Sequence, residues 1–142
     1  MVILVAEDDG LTALAIEMAL RTDGHEVLGP TGLVEEALQL AQSRTPDLAL
    51  VDLELADGGD GIQIARQLHR RYEIPLLFTS ASAERARAHV DVAIGLLRKP
   101  YDPQLVPRVI AFLSRLAHGE LVAAVPRPLE LFDPPRGVAA LA

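Results

Sequence analysis

The sequence has 142 residues, half of them apolar, the size of one domain able to build a core without covalent staples. It has no cysteine, so disulfides, thiolate metal centres, zinc fingers and cysteine nucleophiles are excluded. A net charge of -7 and 4% aromatic residues argue against a nucleic-acid partner. The absence of a basic start followed by a long apolar segment argues against a secretory signal or a membrane span, so a soluble cytoplasmic domain is expected.

Short apolar runs alternate with segments of helical period. Residues 2–6, VILVA, read as a strand buried on both faces. Leu11 to Thr22 reads as a helix with Leu11, Leu14, Ala15 and Met18 on one face, Asp9 as its cap and Gly24 at its end. His25 to Leu28 is a second strand, closed by Gly29-Pro30. Leu33 to Arg44 is a second helix, with a stripe of Leu33, Ala37, Leu40 and Ala41, broken at Thr45-Pro46. Residues 48–53 form the third strand, and a Gly/Asp loop runs through Gly61 to a helix at Ile62–Tyr72. Pro75 precedes a fourth strand at 76–80. Ser82 to Val90 is a weak fourth helix, Gly95 to Arg98 a fifth strand, and Asp102-Pro103 caps and starts a helix running to about His118. Five strand–helix units of this kind predict an α/β fold. It is a doubly wound five-stranded parallel sheet, flavodoxin-like, with strand order 2-1-3-4-5.

In that order a ligand site lies beyond the carboxyl ends of strands 1 and 3. Strand 1 ends in Glu7, Asp8 and Asp9, strand 3 in Asp52, strand 4 in Thr79-Ser80-Ala81, and strand 5 in Lys99-Pro100. Singly, each is an ordinary loop residue. Together they place carboxylates, a hydroxyl and an ammonium on one edge. Crowded carboxylates repel, and Mg²⁺, which takes oxygen ligands, relieves the repulsion. The lysine anticipates a further anion, so the set reads as a phosphoryl-transfer site with Asp52 as nucleophile.

These segments resemble the receiver domain of two-component response regulators, in its chemotaxis-regulator-like, single-domain form. The resemblance rests on VILVAEDD at 2–9, PDLALVDLEL at 46–55, IPLLFTSA at 74–81 and KP at 99–100, and it covers residues 1–118. It implies that Asp52 is the phospho-acceptor, Asp8 a direct Mg²⁺ ligand, Glu7 a ligand through water, and the Glu54 backbone carbonyl a further ligand. It makes Lys99 the partner of the phosphoryl oxygens and Ser80 the switch hydroxyl, with Thr79 as rival. Ala81 becomes the small residue that leaves the donor access, and Lys99-Pro100 a cis peptide aiming the lysine inward. The implied partners are a sensor histidine kinase or a phosphotransfer protein, and a downstream protein. The chain would catalyse its own phosphorylation and dephosphorylation but no separate reaction.

Three departures from the family pattern stand out. The loop DLELADGGDG after Asp52 is long and lacks the usual proline, resembling receivers paired with multidomain sensor kinases. The stretch from Ser80 to Lys99 is short, so the fourth helix should be short or irregular. Leu96 replaces the switch aromatic of strand 5. Two alternatives follow: an interaction module independent of phosphorylation, and a phosphatase with an Asp nucleophile, which would need a second Asp where Glu54 stands.

On helix 5, Val106, Val109, Ile110 and Leu113 should face the sheet. Leu105, Phe112 and Leu116 widen the apolar stripe to about 160°, more than core packing needs. Residues 119–142 form a Pro-rich apolar tail with no output domain. Leu121, Val122, Val125, Leu129, Leu131 and Phe132 are too apolar for a solvating tail. The tail should therefore lie along the domain, or helix 5 and the tail should support a homodimer.

Overall fold

The computed structural model describes residues 1–55, 60–122 and 124–142; positions 56–59 of the Gly/Asp loop expected after Asp52 lie outside the described residues. In chain order the elements are β1 (Val2–Ala6), α1 (Gly10–Thr22), β2 (Glu26–Thr31), α2 (Val34–Ser43), β3 (Leu48–Asp52), α3 (Gly61–Tyr72), β4 (Leu76–Ser80), α4 (Ala83–Arg87) and β5 (Gly95–Arg98). A 3-10 turn at Pro103–Leu105 leads into α5 (Val106–Ala117), followed by β6 (Leu129–Leu131) and a second 3-10 turn at Val138–Leu141.

The sheet order is β2-β1-β3-β4-β5-β6. The first five strands are parallel in the expected order, and β6, a strand not foreseen, runs antiparallel to β5. Residues alternate between two cores along each inner strand, as the pleat demands. Leu4, Val51, Leu76, Phe78 and Leu96 face α2 and α3, whereas Ile3, Val5, Leu50, Leu77 and Leu97 face α1 and α5.

β2 runs on through Gly29-Pro30 to Thr31 instead of stopping before it. It is an edge strand with one neighbour, and there a missing amide is tolerated. α1 buries Ala13, Ile16, Ala19 and Leu20, not the face read from the sequence; Leu11, Leu14 and Met18 are 83%, 52% and 59% exposed. This helix carries two apolar stripes, and period alone cannot choose between them. The alanines of the buried stripe let the helix approach the sheet closely. In α2, Ala37 and Ala41 are buried, while Leu33 is exposed at the N-cap. α4 is a single short turn capped by Ser82, whose side chain accepts from the Arg85 amide.

α5 faces the sheet with Val106, Val109, Ile110 and Leu113, as expected. Its extra apolar margin is covered by this chain's own tail: Val122, Val138 and Leu141 pack into the same cluster as Leu105 and Leu116. Residues 129–132 turn Leu129 and Leu131 to the α5 side, and Glu130 and Phe132 to the other. The Phe132 ring lies 6.4 Å from that of Phe78. Arg87 of α4 donates through Nε and Nη2 to the Glu130 carboxylate. Leu121 and Val125 are exposed, so only part of the tail is anchored. A Cβ on Gly95 would stand 2.3 Å from the Glu130 carbonyl oxygen, so glycine is what lets β6 lie against β5.

Burying one large apolar side chain contributes about 1.5–3 kcal/mol. Truncation after His118 removes Leu129, Phe132 and Leu141 from the core. It should lower the urea unfolding free energy by roughly 3 kcal/mol or more. Gly95→Val should reproduce part of that loss by lifting β6.

Candidate functional site

Parallel pairing brings the strand ends to one edge. Asp52 pairs with Thr79, and Ser80 with Arg98, whose neighbour is Lys99. Asp52 is buried as the last residue of β3. Its Oδ2 accepts from Lys99 Nζ at 2.8 Å and its Oδ1 from the Glu54 amide at 2.8 Å. The start of α3 presses on the backbone here: a Cβ on Gly61 would meet the Asp52 carbonyl oxygen at 2.0 Å.

Glu7 is buried beside Asp52 and accepts from the amides of Asp8 and Asp9 at 3.0 and 3.1 Å. Burial, and then the hydrogen bond to Asp52, push its carboxyl up to about 7. Burial alone would raise Asp52 as well. Lys99, the shared hydrogen bond with Glu7 and the Glu54 amide outweigh it and hold Asp52 below the usual carboxylate range. Burial pulls Lys99 down, but its hydrogen bond to Asp52 and the surrounding carboxylates hold it above the usual lysine range.

Asp8 completes a group of three: carboxylate oxygens of Glu7, Asp8 and Asp52 lie within 4.8 Å of one another. Asp9 is not in this group. It caps α1, accepting from the Thr12 amide at 3.0 Å and from the Thr12 hydroxyl. Asp9 is thus the cap expected from the sequence, and Asp8 is the one that joins the carboxylate group.

Alternation along β4 separates the two candidate hydroxyls. Leu77 faces the α1/α5 core and Phe78 the other, so Thr79 follows Leu77 and Ser80 follows Phe78. Ser80 Oγ donates to Glu54 Oε1 at 2.6 Å, and the Ala81 amide donates to the same oxygen at 3.0 Å. Lys99-Pro100 is cis. Leu96 is fully buried in the core. The carboxylates and Lys99 line a cavity of about 450 Å³, to which Thr12 and Tyr101 also contribute. The sequence reading overlooked both, although Tyr101 directly follows Lys99-Pro100.

Three clustered carboxylates, one of them held near its protonation point by burial, form a donor set of hard oxygens that suits a divalent cation such as Mg²⁺. The lysine and the hydroxyl beside them suit an anion. A doubly wound α/β domain with this acidic pocket at its strand ends is a receiver-type domain.

A family model for the response regulator receiver domain matches residues 3–111. The chain belongs to that family. The phyllosphere-induced regulator PhyR of Methylorubrum extorquens is 34% identical over 111 residues, covering 77% of this chain and 42% of PhyR. The transcriptional regulatory protein PdtaR of Mycobacterium tuberculosis is 31% identical over 117 residues, covering 80% of this chain and 57% of PdtaR. The chain thus spans about half the length of these relatives. The crystal structure of the signal receiver domain of a modulated diguanylate cyclase from Desulfovibrio desulfuricans G20 matches with a TM-score of 0.68 at 32% identity, over 78% of this chain and 90% of that one. Among the described residues no helix is long and apolar enough to cross a membrane.

Lys99→Met would leave Asp52 buried beside Glu7 without its counter-charge. In metal-free buffer this should cost about 1–3 kcal/mol in urea unfolding, since Lys99 is partly exposed. Adding Asp52→Asn to that variant should return most of the loss.

Proposed function

We propose that the chain is a phospho-accepting receiver of a two-component or phosphorelay system, acting in the cytoplasm. The observation that carries this reading is the buried Asp52 carboxylate held between Lys99 and the Glu7–Asp8 pair. An Asp52 oxygen attacks the phosphorus of a phosphohistidine on a sensor histidine kinase or phosphotransfer protein. The P–O bond forms, the P–N bond breaks, and the imidazole nitrogen leaves with the electron pair. Lys99 holds a phosphoryl oxygen, Ser80 turns its hydroxyl to another, and Ala81 leaves the donor room to approach. Asp8, Asp52 and the Glu54 carbonyl would hold Mg²⁺, with Glu7 through water. When bound, the ion supplies neutralising charge for the phosphoryl oxygens.

Residues 1–118 form the receiver unit in this reading, and 119–142 its covering segment. The signal is a changed surface around α4, β5 and the tail, read by a partner protein. Because Leu96 lacks an aromatic ring, coupling passes through the α4 connection instead of a ring flip. α1, whose Thr12 lines the pocket, exposes Leu11, Leu14 and Met18, and these fit an apolar helix face on the phosphodonor protein.

Incubation with Mg²⁺ and acetyl phosphate should add one phosphoryl group per chain by intact mass, absent in Asp52→Ala. The reading fails if no Asp52-dependent adduct forms with acetyl phosphate or beryllofluoride. Leu14→Lys with Met18→Lys should slow transfer from a protein donor by about tenfold or more, yet leave acetyl phosphate labelling unchanged.

A further inference from the structure

Glu54 does something at this site that its position two residues past Asp52 does not explain. A glutamate at a loop surface has water to satisfy both oxygens and no reason to be held. Here Oε1 accepts from Ser80 Oγ at 2.6 Å and from the Ala81 amide at 3.0 Å. Oε2 is removed from water and has no hydrogen-bond partner among the described residues; its nearest cation is Lys99 Nζ at 4.0 Å. That same ammonium lies 2.8 Å from Asp52, so two carboxylates share it. The Glu54 amide, bonded to Asp52 Oδ1, fixes the backbone from which the side chain reaches.

We propose that the Glu54 carboxylate is a built-in occupant of the anion site at Asp52. It stands on the donors that a phosphoryl group on Asp52 would use. The proposal rests on the phosphoacceptor reading and deepens it. Lys99 and Glu54 line the Asp52 pocket, and Ser80 and Ala81 directly follow Thr79, the strand partner of Asp52; Glu54 takes the Ser80 hydroxyl and the Ala81 amide and shares the Lys99 ammonium. A phosphoryl group and a carboxylate are both anions, and two anions on one small donor set repel. The unmodified chain therefore already holds Ser80 and the start of the β4–α4 connection drawn toward the site. From there the contacts run on: the Ser82 amide donates to Ser80 Oγ, Ser82 Oγ caps α4, and Arg87 of α4 grips Glu130 of the tail. A group arriving on Asp52 has to displace Glu54 before it can take these donors. Phosphorylation then exchanges one anion for another, and Glu54 sets how readily that exchange occurs.

The test pairs a measurement on the unmodified protein with one on the loaded site, using the full chain. In metal-free buffer, hydrogen exchange at the Ala81 amide should speed up by about tenfold or more in Glu54→Ala, the size of one charge-assisted hydrogen bond, while β1 amides keep their protection. Glu54→Gln keeps an acceptor oxygen and should retain most of the Ala81 protection. Titration with beryllofluoride in saturating Mg²⁺ should load Glu54→Ala at a concentration about tenfold lower than wild type, with Glu54→Gln between them. Unchanged Ala81 exchange in Glu54→Ala overturns the proposal. So does an unchanged half-saturation point where an Asp52-dependent adduct forms. An adduct from neither chain removes the phosphoacceptor reading, and the stand-in with it.

Discussion

The arrangement depends on one ion pair. Asp52 is carried into the protein by a strand that is apolar up to its last residue, and it arrives beside a second buried carboxylate. Water cannot stabilise its charge there, so Lys99 must. That need fixes what surrounds it. Lys99 directly follows β5, and its ammonium reaches past β4 to Asp52 at the end of β3. Gly61 has to be a glycine so that α3 can start directly against the Asp52 backbone.

The second constraint is on the far edge. β5 has a free side in a five-stranded sheet, and the tail fills it. β6 and the residue after it insert side chains into both cores at once: Leu129 below α5, Phe132 against Phe78. The Arg87–Glu130 pair adds a polar clasp from α4 on the same side as Phe132. The tail therefore touches α4 through Arg87, β4 through Phe78 and β5 through its strand pairing.

The parts legible in the sequence were those with strong local signals. β4 and β5 fall where their apolar runs and flanking residues put them, because a strand buried on both faces leaves few other readings. The shortness of α4 followed from the spacing between Ser80 and Lys99. Other features depend on what a residue meets in three dimensions. The two apolar stripes of α1 are equivalent in period, and only the close approach to the sheet selects the alanine-bearing one. β2 continues through a proline because it is an edge, which is a property of topology. β6 is three residues flanked by prolines, too short for alternation to register. At the site, the family resemblance named Glu54 for its carbonyl oxygen. The direction of its side chain depends on donors from β4 that are distant in the chain, and no spacing rule contains that.

The sheet's outer strands bear on how this protein behaves in a crowded solution. An open sheet exposes unpaired amides and carbonyls along both margins, and each margin is a template for another chain. One margin here is β2, interrupted by Pro30, whose missing amide breaks the row. The other would have been β5, short and apolar. β6 moves that margin outward to three residues, Leu129 to Leu131, bounded by Pro128 and Pro134. The tail thus covers the β5 margin with a strand of three residues. Loosening it would uncover the β5 margin as a template for another chain.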